Sequence, residues 1–368
     1  MPMYWQLKFR KADDRHRTID HLAALRKLIA QKVPRRTASE TLLLATWNLR
    51  DFDSNKFKHG PRLEESFHYI AEVISSFDLV AMQEVNEDMR PFEKVMDLLG
   101  PAWRYVATDV TEGPSGNGER MVFLYDSMKV QFKHIAGEIV LPKTSLVDGE
   151  HQFARSPFLV RFQSGWFKFN LCTVHLYYGD DSGQLFARRV AEIDAIAKFI
   201  KKRADEDGQN YILLGDLNVV SPDDETMKAL KKHKFQLPAD LTLDNSDLRW
   251  ASNMGGNKHY DQIAFLVRKD ELELGSSSHN AGVLNYYKAV FAEGETETYF
   301  PLGKPNGKWP ETLPERKSYY TKEWRTWQMS DHLPLFVELR IDFTDKYLKR
   351  IRGGEQPVDP PTPDAVEN

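Results

Sequence analysis

A single cysteine, Cys172, among 368 residues leaves nothing with which to form an internal disulfide. No apolar run approaches the ~18 residues of a membrane-spanning helix. The first ten residues, Met1 to Arg10, contain no apolar stretch of signal-peptide type. Together these absences predict a reducing, cytoplasmic setting and no membrane insertion. An excess of one charge is also missing. With 50 Lys and Arg against 54 Asp and Glu, the formal net charge is -4, so a polyanionic substrate has to be held by local cations or by a metal. What the chain does have is 41% hydrophobic residues, enough for a large core within one domain. Cys172 lies in the apolar run Phe169–Val174 and reads as a small core residue.

The stretch Tyr211-Ile212-Leu213-Leu214-Gly215-Asp216-Leu217-Asn218 is a buried strand that stops and projects polar groups from its carboxyl end. Asp216 and Asn218, two apart, point to one side, where a carboxylate beside an amide suits a hard cation, a water or a phosphate. Other strands end in the same way. Leu42–Trp47 delivers Asn48, Leu79–Met82 delivers Gln83 and Glu84, and Phe167–Val174 delivers His175. Further strands are expected at Met121–Tyr125, Val130–Ile135, Phe158–Phe162, Ile263–Val267 and Leu335–Ile341, those in the middle of the chain pairing antiparallel. The glycine-rich stretch 113–118 separates two of the elements. Helical patterns cover Ile19–Val33, stopped by Pro34, then Arg62–Phe77, Phe92–Leu99 behind Pro91, and Gln184–Arg203.

The domain reading has three parts: a helical extension over 1–40, one α/β domain over 41–342, and a largely disordered tail over 343–368. Between Asp261 and Asp331 lies an interval of about 70 residues, long for a connection between core strands. Its aromatic-rich part, about 275–328, includes Tyr286, Tyr299, Trp324 and Trp327. Either it forms a lid that stacks on bases, or it is a satellite cluster packed on the body.

Asn48, Glu84, His175, Asp216, Asn218, Asp261, Asp331 and His332 all lie at or beside strand boundaries, and a mixed sheet system gathers such ends into one crevice. Several carboxylates meeting there would repel one another, and a divalent cation is the usual remedy. Oxygen ligands favour Mg²⁺, Mn²⁺ or Ca²⁺ over Zn²⁺. Imidazoles oriented by carboxylates supply the proton transfers that phosphate-ester cleavage needs near neutral pH. The other histidines, His68 and His233 among them, read as surface or satisfied loop residues, and the basic runs 198–203 and 231–234 as solvated helix faces.

Thr46-Trp47-Asn48, Gln83-Glu84, Thr173-Val174-His175, Gly215-Asp216-Leu217-Asn218, Tyr260-Asp261-Gln262-Ile263 and Ser330-Asp331-His332 resemble, in order, the motif set of the endonuclease/exonuclease/phosphatase superfamily. Within it the chain looks most like the deoxyribonuclease I branch. Gly118–Tyr125 resembles the strand that pairs a carboxylate, here Glu119, with the first catalytic histidine, and Phe153–Phe158 resembles the segment in which an arginine, here Arg155, contacts phosphate. The resemblance implies an α/β four-layer sandwich, two mixed β-sheets flanked by helices. It also implies metal-assisted phosphodiester hydrolysis, most simply by a DNA endonuclease using Mg²⁺. Glu84, Asn48 and Asp331 would hold the cation. His175 with Glu119 and His332 with Asp261 would form two carboxylate–imidazole pairs, Asp216 would position water or a second cation, and Asn218 would donate to the phosphate. The alternatives are the same chemistry on a lipid or inositol phosphate, or a non-catalytic module on the same fold. The missing disulfides and signal peptide depart from the secreted members of the branch and argue against an extracellular digestive role.

Overall fold

Alternation along the first strand sets the layers. In β1 (Thr41–Phe52), Leu42 and Leu44 join one core cluster while Leu43, Ala45 and Trp47 join another, as a period of two requires. The structure, a computed structural model, describes residues 2–52, 57–111, 118–147, 149, 151–238, 251–268, 271–277, 279–302 and 309–353. The glycine-rich loop at 113–117 and the tail beyond 353 lie outside them.

Two mixed sheets stack face to face. The first contains β1, β2 (Leu79–Asn86), β3 (Trp103–Ala107), β4 (Glu119–Asp126), β10 (Ala281–Val283) and β11 (Leu335–Arg340), in the order β10-β11-β1-β2-β4-β3. The second contains β5 (Gln131–Glu138), β6 (Phe158–Ser164), β7 (Phe167–His175), β8 (Tyr211–Asp216) and β9 (Asp261–Leu266), in that order. Only β1 with β2 and β7 with β8 run parallel among the paired strands; the other pairs are antiparallel. One core fills the space between the sheets, with Phe123, Phe162, Phe169 and Ile212 among its members. A second lies between the first sheet and helices α1 (Ala12–Lys32), α2 (Glu64–Ser75) and α3 (Arg90–Leu99). The third lies between the second sheet and α4 (Gly183–Asp207) and α5 (Glu225–Lys232). This is the four-layer arrangement expected. Cys172 is buried, and burial raises its thiol pKa far above the ordinary value, so it is an inert core group.

The aromatic insertion belongs to the core. Tyr286, Tyr299, Tyr320 and Trp324 are buried with Trp47 and Phe291 in the cluster over the first sheet, and Trp327 is buried with its indole N–H donating to the Gly60 carbonyl at 2.7 Å. The lid reading is therefore set aside. These rings brace the segment before the last strand from behind: Tyr286 and Tyr287 hydroxyls reach the Ser330 carbonyl at 3.0 and 2.7 Å, and Tyr286 also reaches that of His332 at 2.9 Å. A second difference lies after the last strand, where Thr344–Arg352 is helical although the tail was expected to begin at 343. Its apolar residues Leu348 and Ile351 are exposed, so only local propensity marks this helix in the sequence.

His68 corrects another expectation. It is 3% exposed inside α2, its Nδ1 has no hydrogen-bond partner among the described residues, and burial, helped by the charge of Arg10, pushes its pKa down to about 4. The unfolded chain binds this proton near pH 6.5 while the folded one refuses it until about 4, so stability falls as pH drops through that window. The shift corresponds to roughly 3 kcal/mol. A His68→Leu variant is expected to lose that much less stability than the parent between pH 6.5 and 4 in urea titrations; parallel losses would show that His68 titrates normally.

Candidate active site

Register delivers the polar groups to one place. His175 pairs with Asp216 across β7 and β8, and Asp216 pairs with Asp261 across β8 and β9, so three strands contribute to a single row. On their strands these residues share a side with Leu171, Leu214 and Ile263, whose side chains fill the inter-sheet core. The row therefore faces the space between the sheets, at its open end. Asn48 arrives from the opposite sheet by the same rule, on the side of β1 that carries Leu42 and Leu44.

Glu84 reaches the site by breaking that rule. Strict alternation would send it to the helix side with Val80 and Met82. Its φ of 60° turns it back, where the pairing of β2 with both β1 and β4 slips. Arg50 and Asp51 opposite are also left-handed, at 45° and 49°, and the Asp51 amide donates to Glu84 Oε2 at 2.7 Å. Backbone strain of this kind persists where surrounding contacts over-determine it. Gly215 serves a different need: a Cβ there would stand 2.2 Å from the Val174 carbonyl oxygen, so only glycine lets β8 pass this close to β7.

The two imidazoles are held differently. His332 Nδ1 is 2.8 Å from Asp261 Oδ2, and its Nε2 is 3.7 Å from Asp216 Oδ2. Burial works against its charged form but is outweighed by Asp261 and Asp216, which hold its pKa well above the ordinary value. His175 Nδ1 lies 3.1 Å from Glu119 Oε1, and its Nε2 is 3.7 Å from Asp216 Oδ2 and 3.8 Å from Glu84 Oε1. Burial, with the charge of Arg155, pushes its pKa down to about 4. Burial also raises the Asp261 pKa, whereas for Asp216 and Glu84 it is overcome by the neighbouring histidines and Asn48, leaving both low. The surroundings thus favour the charged form of His332 and the neutral form of His175.

Asn48 stands between two of the carboxylates. Its Oδ1 accepts from the Arg50 amide at 2.9 Å, which fixes the orientation of the group, and its Nδ2 donates to Glu84 Oε1 at 2.7 Å and to Asp216 Oδ2 at 3.0 Å. It bridges two carboxylates with N–H, not oxygen. The Asp331 side chain stands half exposed at the rim, 3.9 Å from Arg50 Nε, and belongs to neither acidic cluster. Asn218 donates one amide N–H to the Leu176 carbonyl at 2.8 Å, and its backbone N–H to Asp216 Oδ1 at 3.0 Å. Arg155 is buried and ion-paired with Glu119, which it shares with His175. Two groups offer ligand atoms mutually within 4.8 Å, Glu84 with His175 and Asp216, and Asp216 with Asp261 and His332; both could hold a metal ion.

Sequence reasoning missed several supports. Gln83 donates to Thr173 Oγ1 at 2.8 Å, tying the two sheets together beneath the site. Ser330 Oγ donates to the Asn48 carbonyl at 2.6 Å, and the Trp47 indole to that of His332 at 3.0 Å. Gln83, Trp47 and Ser330 each flank a site residue, and that adjacency was the available signal.

The profile of the Endonuclease/Exonuclease/phosphatase family matches residues 45–265, and the chain belongs to that family, whose members hydrolyse phosphoesters. No curated protein matches it. Among solved structures it is similar to an endonuclease/exonuclease/phosphatase family protein from Bacteroides thetaiotaomicron, with TM-score 0.53, 16% identity, and coverage of 82% of this chain and 98% of that one. D. rerio TDP2 complexed with a single-strand DNA product gives 0.51 at 13% identity, covering 81% and 98%. A mannosyl-6-phosphatase from Bacteroides thetaiotaomicron gives 0.50 at 15%, covering 81% and 99%. At these identities the likeness shows a common fold. No helix among the described residues is long and apolar enough to cross a membrane.

Proposed function

We propose that the protein is a divalent-cation-dependent phosphodiesterase acting on nucleic acid, with DNA the leading substrate. The observation that carries this reading is the convergence of two carboxylate–imidazole pairs on one buried carboxylate, Asp216, with Glu84 beside them. Glu84 is partly open to solvent, and only the Asn48 amide separates it from Asp216, so the donor set fits a hard cation such as Mg²⁺. We assign Glu84 and Asp216 to the cation, and neither Asn48 nor Asp331 in the arrangement seen. What a bound cation supplies is neutralisation of the charge that grows on the phosphoryl oxygens.

The chain's own groups divide the remaining work. Of the two imidazoles, each beside its own carboxylate, His332 with Asp261 and His175 with Glu119, one donates to a phosphate or leaving oxygen and the other accepts a proton from water. Asp216 lies the same distance from both Nε2 atoms and orients that water between them. Arg155 balances Glu119, so a direct phosphate contact by Arg155 would weaken its pairing with that carboxylate. The DNA product named for the TDP2 structure supports nucleic acid, and the phosphatase among the neighbours supports a sugar phosphate as the second reading. Incubation with plasmid, single-stranded DNA, RNA, sugar phosphates and a lipid phosphoester panel, with Mg²⁺ or with chelator, tests this. Chelator-sensitive cleavage of DNA is the expected result; cleavage confined to monoesters or lipids, or hydrolysis indifferent to chelator, would overturn it.

A further inference from the structure

Two charged residues inside α4 take no part in the reaction described. Arg189 and Glu192, one turn apart, are both completely buried, a placement that is costly unless every donor and acceptor is matched. Neither is matched by the other. Glu192 accepts the Ala154 amide through Oε1 at 3.2 Å and the Tyr177 amide through Oε2 at 3.0 Å. Arg189 donates to the carbonyls of Asn218 and Asp180, and its guanidinium lies 5.0 Å from the centre of the Tyr178 ring.

The positions reached are informative. Ala154 adjoins Arg155, Tyr177 is two residues past His175, and Asn218 is two past Asp216. If the two residues served helix packing alone, apolar side chains of similar volume would serve as well or better. Besides ion pairs of Glu192 with Arg188 at 3.5 Å and of Arg189 with Asp181 at 3.9 Å, each hydrogen-bonds main chain in loops that leave the second sheet beside the site, and loops gain precision when a rigid element holds their backbone. We propose that Arg189 and Glu192 are positioning residues, a bracket on α4 that fixes the loops after β7 and β8 and the segment before β6, and so sets His175, Arg155 and Asn218 around Asp216. The effect on turnover rests on the phosphoesterase reading; the bracket itself does not.

The test combines amide hydrogen exchange with steady-state kinetics on a phosphodiester, for Glu192→Ala, Glu192→Gln and Arg189→Lys. In Glu192→Ala the Ala154 and Tyr177 amides are expected to lose protection while β8 stays protected, and kcat to fall ~10²-fold with KM within about threefold, because misplaced groups act on the transition state. Glu192→Gln, which keeps one acceptor, is expected to fall between parent and alanine. Unchanged protection at 154 and 177 overturns the bracket, and so does lost protection with kcat intact. A loss of activity that only tracks the unfolded fraction shows a purely structural role and also overturns it. If the parent hydrolyses no phosphoester, the functional reading fails, and the exchange data still decide the bracket. Should Glu192→Ala not fold, the other two variants carry the test.

Discussion

Alanine at His332 is expected to lower kcat on a phosphodiester by about 10²- to 10⁴-fold, the range for a general acid–base group. The same change strands Asp261. That carboxylate is completely buried, and its Oδ2 faces His332 Nδ1 at 2.8 Å. Removing one member of a buried pair costs roughly 3–5 kcal/mol because the remaining charge is uncompensated. Two losses are therefore mixed in one variant, and a second variant separates them. In Asp261→Asn/His332→Ala the stranded charge is gone, so stability measured by urea unfolding is expected to return most of the way while kcat stays low. If the double variant regains turnover, His332 acts by holding structure and the catalytic assignment is wrong.

Trp324→Ala is expected to lower stability by about 3–5 kcal/mol, a large part of the roughly 5–15 kcal/mol that a folded chain has in hand. Trp324 is 1% exposed and touches Tyr299, Trp309, Tyr320 and Phe291 with ring centroids 5.4, 5.6, 5.7 and 5.9 Å away. Its removal opens a cavity in the cluster that supports Ser330 and His332 from behind. The folded fraction at low temperature is expected to keep a near-parental KM, since Trp324 is buried in the core over the first sheet. A denaturant midpoint that stays put while KM rises would restore the lid reading instead.

These two residues also mark where the sequence was legible and where it was not. His332 could be placed because Ser-Asp-His stands before a strand, and strand ends of mixed sheets meet. The row His175–Asp216–Asp261 needed no more than alternation and a sheet that pairs β7, β8 and β9 in turn. Trp324 could not be placed, because an aromatic cluster on a loop reads alike whether it covers substrate or packs beneath a sheet, and only tertiary contact decides. Asn48 shows a finer limit. Its position was legible, but the direction of its amide depends on the left-handed turn at Arg50 and Asp51, which no periodicity reveals. Glu84 reached the site through a bulge that alternation alone would have contradicted. Glu192 was invisible for a similar reason: on paper it is one more charge on an amphipathic helix, and its meaning comes from two amides distant in sequence.

The most direct test is hydrolysis of bis-p-nitrophenyl phosphate by the parent and by Glu84→Gln across a Mg²⁺ titration. Glutamine keeps the size of the side chain and removes the charge proposed to hold the cation, beside the Asn48 bridge. The parent rate is expected to saturate with Mg²⁺ and disappear with chelator, and the variant to be slower by ~10²-fold or more and to recover only partly at high Mg²⁺. A Glu84→Gln enzyme that matches the parent at every Mg²⁺ concentration would contradict the assignment of Glu84 to the cation.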